Sequence, residues 1–235
     1  MIWKTSIFLI FSFLGINSVF AQTTFYKTTD GILMTEGNYL QIKKEMNERE
    51  DLAGKYQEIF IKTENRNDTL IKTIKFERIM MAVGENKKGY DPYAEQRKLI
   101  GSHFPIEMFK DESGNNFSSD YLNGKPSVIN FWFTDCPPCI EEIPDLNKMK
   151  KEFGDSFNYL AITFEKKEKI QKFLKKKRSF NFTHITDSKR QIEDLKIKSF
   201  PVTIILNNEG KVINIYGGTL FFQRENLYEL LNFLR

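Results

Sequence analysis

The sequence predicts an α/β fold in which a central mixed sheet is flanked by helices, preceded by a small N-terminal α+β region. Three observations support this prediction. The apolar and aromatic run over residues 128–133 is typical of a strand buried on both faces. A stretch with helical spacing of apolar residues follows it over residues 137–153. Further strand and helix patterns then alternate and end in a hairpin and an amphipathic helix, the order expected of such a sheet.

Length and composition indicate a globular domain with an appendage. The chain has 235 residues, of which 40% are hydrophobic and 28% charged, an ordinary composition for a folded protein. Its net charge of +4 is small for this length, so charge gives no reason to expect nucleic acid as a partner.

Residues 1–21 have the pattern of a secretory signal peptide. Lys4 supplies a positive start, residues 5–20 are almost wholly apolar, and Val19-Phe20-Ala21 offers small side chains where a signal peptidase cleaves. We therefore expect cleavage after Ala21 and export, with the periplasm as the compartment. The alternative is an uncleaved anchor in the inner membrane, but the apolar stretch is shorter than the ~20 residues of a membrane span and contains Asn17.

Residues 22–97 form an N-terminal region of unknown role. Its predicted elements are strands at Phe25-Tyr26, Ile59–Ile61 and Thr69–Phe76 and a charged helix within Asn38–Tyr56. The polar, turn-rich sequence between Gly84 and Lys98 predicts the boundary with a second domain, residues 98–235.

The pattern of residues 98–235 is more regular. The predicted elements are a hairpin of short strands at Ile106–Phe109 and Asn116-Phe117, a central strand at Val128–Phe133, a helix at Pro137–Phe153, a strand at Tyr159–Phe164, helices at Glu168–Lys177 and Ser188–Leu195, a hairpin of Val202–Leu206 and Lys211–Tyr216, and a helix at Phe222–Leu234. The strongly basic stretch 166–178 suggests a membrane surface or an acidic partner. We interpret it instead as a helix with a solvated basic face, because Ile170, Phe173 and Leu174 recur with helical spacing.

The chain has two cysteines, Cys136 and Cys139. A disulfide between them closes almost no loop and adds little stability, so chemistry is the better reason to keep the pair. The pair lies where the strand over residues 128–133 gives way to a helix, and the unpaired N–H groups of a helix start favour a thiolate at Cys136. Cys139, one turn further on, can then resolve a mixed disulfide between Cys136 and a client. Pro137 suits the first helical turn, since it gives up only an N–H that has no partner there, and Pro138 adds rigidity.

Two other interpretations of the pair are an inert clasp and half of a zinc site. Zinc needs two further nitrogen or sulfur ligands. The two histidines, His103 and His184, have no ligand-like spacing to each other or to the cysteines. We therefore favour redox chemistry, with no metal and no other cofactor. His184 is interpreted as an ordinary polar residue at a strand edge and His103 as a loop residue.

From about Leu99 to Arg235 the chain resembles the TlpA/ResA-like family of thioredoxin-fold proteins, which are exported bacterial thiol-disulfide oxidoreductases. The resemblance rests on the run GKPSVINFWFTDCPPC over residues 124–139, and the Ile100-Gly101 opening, the Asp111–Asn115 turn and the Ser119–Leu122 segment fit the family's lead-in. It implies a thioredoxin-like fold and thiol-disulfide exchange with client proteins. It does not extend to residues 22–97.

This resemblance also implies roles for individual residues. Cys136 matches the solvent-facing nucleophile and Cys139 its buried resolving partner. Glu142 matches a glutamate that lies near the dithiol and tunes its ionisation, a role for which Glu141 competes. Pro201 matches the cis-proline beside the active site of thioredoxin folds. The residues predicted to bind a client are Phe200, through its backbone, together with Trp132, Pro137 and Pro138.

Two departures from thioredoxin limit these inferences. Asn130 stands where thioredoxins have a buried acid, so proton transfer to Cys139 would have to use Glu142 or water. Asp135 replaces the Trp that usually precedes the first cysteine. A carboxylate beside a thiolate opposes the effect of the helix start, so the reduction potential stays open.

The expected function is exchange of a dithiol or disulfide at Cys136 and Cys139 with client proteins outside the cytoplasm. The resemblance favours reduction, including cytochrome c maturation. Because an oxidising compartment does not reduce the pair, a reductase would need a membrane thiol donor.

One alternative is a peroxiredoxin-like peroxidase, since Thr134 lies two residues before Cys136, although the upstream proline of that motif is missing. Another is a Sco-like copper-handling protein, although those proteins space their cysteines more widely.

Overall fold

The structure is a computed structural model that describes residues 22–49, 56–66, 68–78, 91–176, 179–218, 220 and 223–235. The predicted signal peptide over residues 1–21, and residues 84–90 of the predicted domain boundary, lie outside these ranges. Within them, no helix combines the length and the apolar character that crossing a membrane requires.

The first part of the chain folds into a four-stranded sheet in the order β2-β1-β4-β3. Its elements are β1 (Thr23–Thr28), β2 (Leu33–Thr35), α1 (Glu36–Glu48), β3 (Tyr56–Arg66) and β4 (Thr69–Arg78). Helix α1 begins where the Thr35 hydroxyl accepts a hydrogen bond of 3.3 Å from the backbone N–H of Asn38. The ring of Tyr39 in α1 stacks on Tyr26 of β1 with centroids 3.6 Å apart, so α1 covers one face of the sheet.

The second part forms a five-stranded sheet in the order β7-β6-β5-β8-β9. The elements that follow β4 are α2 (Ala94–Arg97), β5 (Ser127–Phe131), α3 (Pro137–Phe153), β6 (Asn158–Ile162), α4 (Lys167–Lys175), β7 (Thr183–Ile185), α5 (Lys189–Asp194), β8 (Val202–Leu206), β9 (Val212–Gly217) and α6 (Arg224–Leu234). Strands β5, β6 and β7 are parallel, whereas β8 and β9 run antiparallel to their neighbours. The predicted α/β fold with a mixed sheet is confirmed.

Strand β5 is the centre of this sheet, and each of its residues is buried. One face of the sheet packs against α3 and α6, which bury Leu146 and Leu230 there. The other face packs against α5 through Ile192 and against the segment 104–122. The two apolar layers explain why β5 does not alternate between apolar and polar residues and contains only Ser127 and Asn130 as polar residues.

The predicted hairpin before β5 is wrong, because neither Ile106–Phe109 nor Asn116-Phe117 forms a strand. Ile106–Met108 forms a 3₁₀ helix, in which the Phe109 N–H donates to the Ile106 carbonyl at 3.0 Å. Pairing is limited to an isolated bridge between Lys110 and Asn116. A segment as short as Ile106–Phe109 fits a strand and a helical turn equally well, so its pattern of apolar residues cannot distinguish them. The predicted helix 38–56 also ends earlier, at Glu48, and Tyr56 begins β3.

The four-stranded sheet packs against the five-stranded sheet. Ile59 and Ile61 of β3 are buried in the same apolar cluster as α3 and α6. A chain of polar contacts accompanies them: the Asn214 amide donates to the buried Glu77 carboxylate at 2.7 Å, and Arg97 donates to the Gln57 side chain at 2.7 Å. Burial raises the pKa of Glu77 above its usual value.

The segment after α2 covers the outer edge of β9. The Gly101 N–H donates to the Val212 carbonyl at 2.8 Å, and the Val212 N–H donates to the Ser102 carbonyl at 2.9 Å. The Phe104 N–H likewise bonds to Gly210 at 3.0 Å. An open strand edge is a template for unwanted pairing, so this segment protects the sheet.

Gly217 at the end of β9 leaves no room for a side chain. A Cβ there would lie 2.0 Å from Cδ2 of the buried Tyr93 ring. We expect Gly217→Ala to lower the free energy of unfolding by about 1–3 kcal/mol through overpacking, as measured by urea unfolding. Gly37→Ala is the control: its Cβ would meet only Thr35 Oγ1, at 3.9 Å, and alanine favours a helix. Equal losses in both variants would contradict this explanation.

Candidate active site

Cys136 stands at the junction between the central strand and α3. Just after β5, the Trp132 N–H donates to the Ile162 carbonyl at 3.1 Å, so the chain stays attached to β6 as it leaves the sheet. A turn follows, in which the Cys136 N–H donates to the Phe133 carbonyl at 3.3 Å. Cys136 is then the N-cap of α3, which begins at Pro137 as predicted.

A disulfide joins Cys136 and Cys139, with Cα atoms 5.2 Å apart. The Cys136 sulfur also accepts a hydrogen bond from the Cys139 N–H at 3.3 Å. This N–H is one of the groups that a helix start leaves without a backbone partner. The same donor and the helix dipole favour negative charge on the sulfur once the disulfide is reduced.

The expectation that Cys136 faces solvent is wrong for this disulfide-bonded form. Cys136 is 3% exposed and Cys139 is 1% exposed. Both sulfurs belong to an apolar cluster against which the half-buried rings of Phe133 and Phe200 pack.

Glu142 lies one turn after Cys139 in α3 and is buried, whereas its rival Glu141 is exposed. The Asn130 amide donates to one carboxylate oxygen at 2.7 Å, and the Leu220 N–H approaches the other at 3.4 Å. Burial raises the pKa of Glu142 to about 8, because these two hydrogen bonds only partly offset the loss of water. Asn130 also donates to the Thr203 hydroxyl at 3.0 Å. The contact with Leu220 could not be expected from sequence spacing.

Pro201 immediately precedes β8, and its peptide bond with Phe200 is cis. The Pro201 carbonyl accepts a hydrogen bond from the Gly218 N–H at 3.0 Å. The Phe200 ring lies 5.4 Å from Phe133 and 5.9 Å from Phe164, centroid to centroid. These three phenylalanines, with Phe133 and Phe164 5.3 Å apart, form one cluster, which we call the aromatic platform.

Comparison with known proteins now bears on this site. A family model described as the AhpC/TSA family matches residues 100–215. Thioredoxin-like protein YneN of Bacillus subtilis is 32% identical over 136 residues, which are 56% of this chain and 80% of that protein. Thiol-disulfide oxidoreductase ResA of the same organism is 32% identical over 123 residues, 51% of this chain and 68% of ResA. The chain belongs to the ResA-like family of thiol-disulfide oxidoreductases.

Among solved structures, a putative thiol:disulfide interchange protein DsbE from Chlorobium tepidum is similar to this ResA-like chain with a TM-score of 0.48. It is 21% identical, and the match covers 54% of this chain and 92% of that one.

In this ResA-like protein the predicted client-binding residues do not all reach the surface. Pro137 is exposed and Pro138 is half-buried. Trp132 is 0% exposed, and the rings of Phe173 and Phe180 pack against it at 5.4 and 5.2 Å. The prediction that Trp132 contacts a client is therefore wrong for this structure. Trp132 directly follows β5, where the chain is still within the core.

Sequence reasoning missed a polar cluster beside the dithiol loop. Glu165 is buried and accepts hydrogen bonds from Thr134, at 2.7 Å from its N–H and 3.0 Å from its hydroxyl. Lys169 pairs with both Glu165 and Asp135. Because β6 is parallel to β5, residues that follow the two strands meet at one edge of the sheet. The position of Glu165 shortly after β6 was the available signal.

The histidines lie apart from this cluster. His184 on β7 contacts the Phe180 carbonyl at 3.0 Å through Nε2, and burial lowers its pKa. His103 forms an isolated bridge with Lys211. Over the ranges that the structure covers, no group of three or more His, Cys, Asp or Glu side chains is arranged to hold a metal ion.

The raised pKa of Glu142 makes stability depend on pH. Between its usual value of 4.5 and about 8, the folded state binds a proton that the unfolded state has lost. The resulting stabilisation is complete below pH 4.5 and is lost as the pH rises through about 8. From this group alone, the free energy of unfolding of the oxidised protein should fall by up to about 1.4 kcal/mol per pH unit. Urea unfolding at several pH values measures this slope.

Glu142→Gln should remove this component of the slope. Glu141→Gln, one position earlier on the exposed face of α3, should keep the wild-type slope and serves as the control. An unchanged slope in Glu142→Gln would show that Glu142 is not the titrating group.

Proposed function

We propose that this thiol-disulfide oxidoreductase reduces disulfides of client proteins outside the cytoplasm, with Cys136 as the nucleophile and Cys139 as the resolving thiol. The observation that supports these roles is the position of Cys136. Its sulfur caps α3 and accepts the Cys139 N–H, so the first sulfur has a stabilised thiolate and the second is within bonding reach.

The proposed reaction has two displacements. The Cys136 thiolate attacks one sulfur of a client disulfide. The client S–S bond breaks, its other sulfur leaves as a thiolate that takes up a proton, and a mixed disulfide links Cys136 to the client. The Cys139 thiolate then attacks Cys136, the mixed disulfide breaks, and the second client sulfur leaves. Two electrons pass from the protein to the client, and the Cys136–Cys139 disulfide remains.

Glu142 is the proposed proton acceptor for Cys139. Both residues are buried and lie one turn apart on α3. Cys139 must lose its proton before it can attack, and a buried thiol has little access to water. A group whose pKa is raised to about 8 exchanges protons readily near neutral pH. Asn130, which stands where thioredoxins have an acid, would orient the Glu142 carboxyl through their 2.7 Å hydrogen bond.

The client would lie across the aromatic platform and the backbone of Phe200 and Pro201. Phe164 is 37% exposed, and Phe133 and Phe200 are half-buried next to it. An extended client segment gains apolar contact there without contributing specific side-chain hydrogen bonds. Exposed Pro137 borders the same loop.

Export and electron supply complete the proposal. The apolar pattern of residues 1–21 supports secretion to the periplasm. Since that compartment is oxidising, a membrane thiol donor would have to return the Cys136–Cys139 disulfide to the dithiol. Apocytochrome c, whose haem-binding cysteines must be reduced, is the proposed type of client.

Trapping tests the assignment of the two sulfurs. Cys139→Ser should accumulate mixed disulfides with proteins bound to Cys136, because the second displacement is removed. Cys136→Ser should accumulate almost none. The wild type is expected to catalyse the reduction of insulin by dithiothreitol, and both variants should lack this activity. Efficient reduction by either variant would contradict the mechanism, and peroxide consumption without a protein client would favour the peroxidase alternative.

The aromatic platform is tested by a protein client and a small disulfide in parallel. Phe164→Ala should lower kcat/KM for insulin about fivefold, equivalent to about 1 kcal/mol of lost apolar contact. It should leave the reaction with a small aromatic disulfide nearly unchanged. Phe60→Ala on β3 is the control, because Phe60 is similarly exposed, at 42%, but lies on the other sheet. Equal losses for both disulfides would mean that Phe164 supports the loop and does not bind the client.

A further inference from the structure

Asp135 places a carboxylate next to Cys136. Its side chain is 76% exposed, so the carboxylate stays hydrated. An unpaired negative charge at this position would disfavour a thiolate on the adjacent residue. In the structure the charge is paired, because Lys169 Nζ lies 2.7 Å from Asp135 Oδ2.

Lys169 is held in this position by a second acid. Its Nζ also lies 2.5 Å from Glu165 Oε1, and the Glu165 side chain is only 4% exposed. Glu165 accepts two hydrogen bonds from Thr134. The buried Glu165 carboxylate therefore contacts the loop before Cys136 through Thr134 and the start of α4 through Lys169. It holds the Lys169 ammonium group beside Asp135. The two carboxylates raise the pKa of Lys169, which stays cationic at neutral pH.

The other charged groups around the loop do not duplicate this contact. Glu168 and Lys172 of α4 line the same groove as Asp135. Lys172 makes no ion pair with any residue that the structure describes. From α3, Glu142 faces the dithiol side, hydrogen-bonded to Asn130.

We propose that Lys169 is a positioning residue that cancels the charge of Asp135 beside Cys136 and thereby sets the thiolate fraction of Cys136 at neutral pH. The proposal rests on the proposed role of Cys136 as the nucleophile. Lys169 touches neither sulfur and acts through Asp135. Glu165, which is hydrogen-bonded to Thr134, holds the Lys169–Asp135 pair beside the loop.

The expected size of the effect is modest. A charge a few ångströms away near a surface shifts an ionisation by about one pH unit or less, and solvent exposure of the pair reduces it further. Removal of Lys169 should move the midpoint of Cys136 ionisation upward by about half a pH unit. Below the midpoint this lowers the thiolate fraction about threefold.

The test is the pH dependence of Cys136 alkylation in the reduced, full-length protein. The rate with iodoacetamide is followed by mass spectrometry of the peptide that contains Cys136. Lys169→Met should raise the midpoint by about half a unit, and the conservative Lys169→Arg should restore it. Lys172→Met removes an equal charge one turn along α4 and should leave the midpoint nearly unchanged. Lys169→Gln replaces Lys169→Met if the latter lowers the melting temperature.

Asp135→Asn completes a double-mutant cycle. Alone it should lower the midpoint, because it removes the negative charge beside Cys136 and leaves Lys169 paired with Glu165. In the Lys169→Met background it should bring the midpoint back to the wild-type value. The proposal is overturned if Lys172→Met matches Lys169→Met, or if the shift caused by Lys169→Met persists in the double variant. A failure of the proposed function would give a different result. In the wild type, Cys139 would then react with iodoacetamide faster than Cys136.

Discussion

The chemistry of this protein depends on one backbone constraint, the start of α3 at the carboxyl end of β5. A helix start leaves N–H groups without backbone partners, and here one of them points at the sulfur of Cys136. The constraint is firm because β5 is buried along its whole length between β6 and β8. Pro137 in the first turn removes an N–H that would have no partner. A thiolate formed there needs no movement of the backbone to be stabilised.

The interior next to α3 contains a polar group that a purely apolar core would avoid. Asn130 of β5, Glu142 of α3 and Thr203 of β8 form a buried hydrogen-bonded set. Burying a charged carboxylate without a cation costs several kcal/mol, and the raised pKa of Glu142 expresses that cost. A sequence optimised for stability alone would place a hydrophobic residue here. The proposed proton exchange with Cys139 gives this buried acid a role that stability alone does not.

The sequence predicted those parts of the structure that depend on local pattern. The bounds of α3 and β8 agree with the prediction, as does the burial of β5, because a long helical period and an all-apolar strand are unambiguous signals. The prediction of a strand at Ile106–Phe109 was wrong because so short a segment does not reveal whether its period is that of a strand or of a helix. Burial of Cys136 was missed, and Trp132 was assigned to client binding although its strand was predicted to be buried. Exposure of both residues depends on Phe173, Phe180 and the aromatic platform, which come from other parts of the chain. The contact between Glu165 and Thr134 required knowledge that β6 lies beside β5. The predicted signal peptide and domain boundary stay predictions.

Asp135 and Glu142 show how two acids close in sequence to the cysteines have their charges balanced in different ways. Asp135 is exposed and forms an ion pair with Lys169. Glu142 is buried, and its described hydrogen-bond partners are the neutral groups of Asn130 and Leu220; protonation is the available means of removing its charge. Near neutral pH neither acid then presents an uncompensated negative charge to the sulfurs. Two thiolates of a dithiol form in sequence, and each needs a neutral surrounding at its own step. In the proposed mechanism the ion pair of Lys169 with Asp135 provides this for Cys136. Glu142 provides it for Cys139, because its ionised form becomes neutral when it accepts the Cys139 proton.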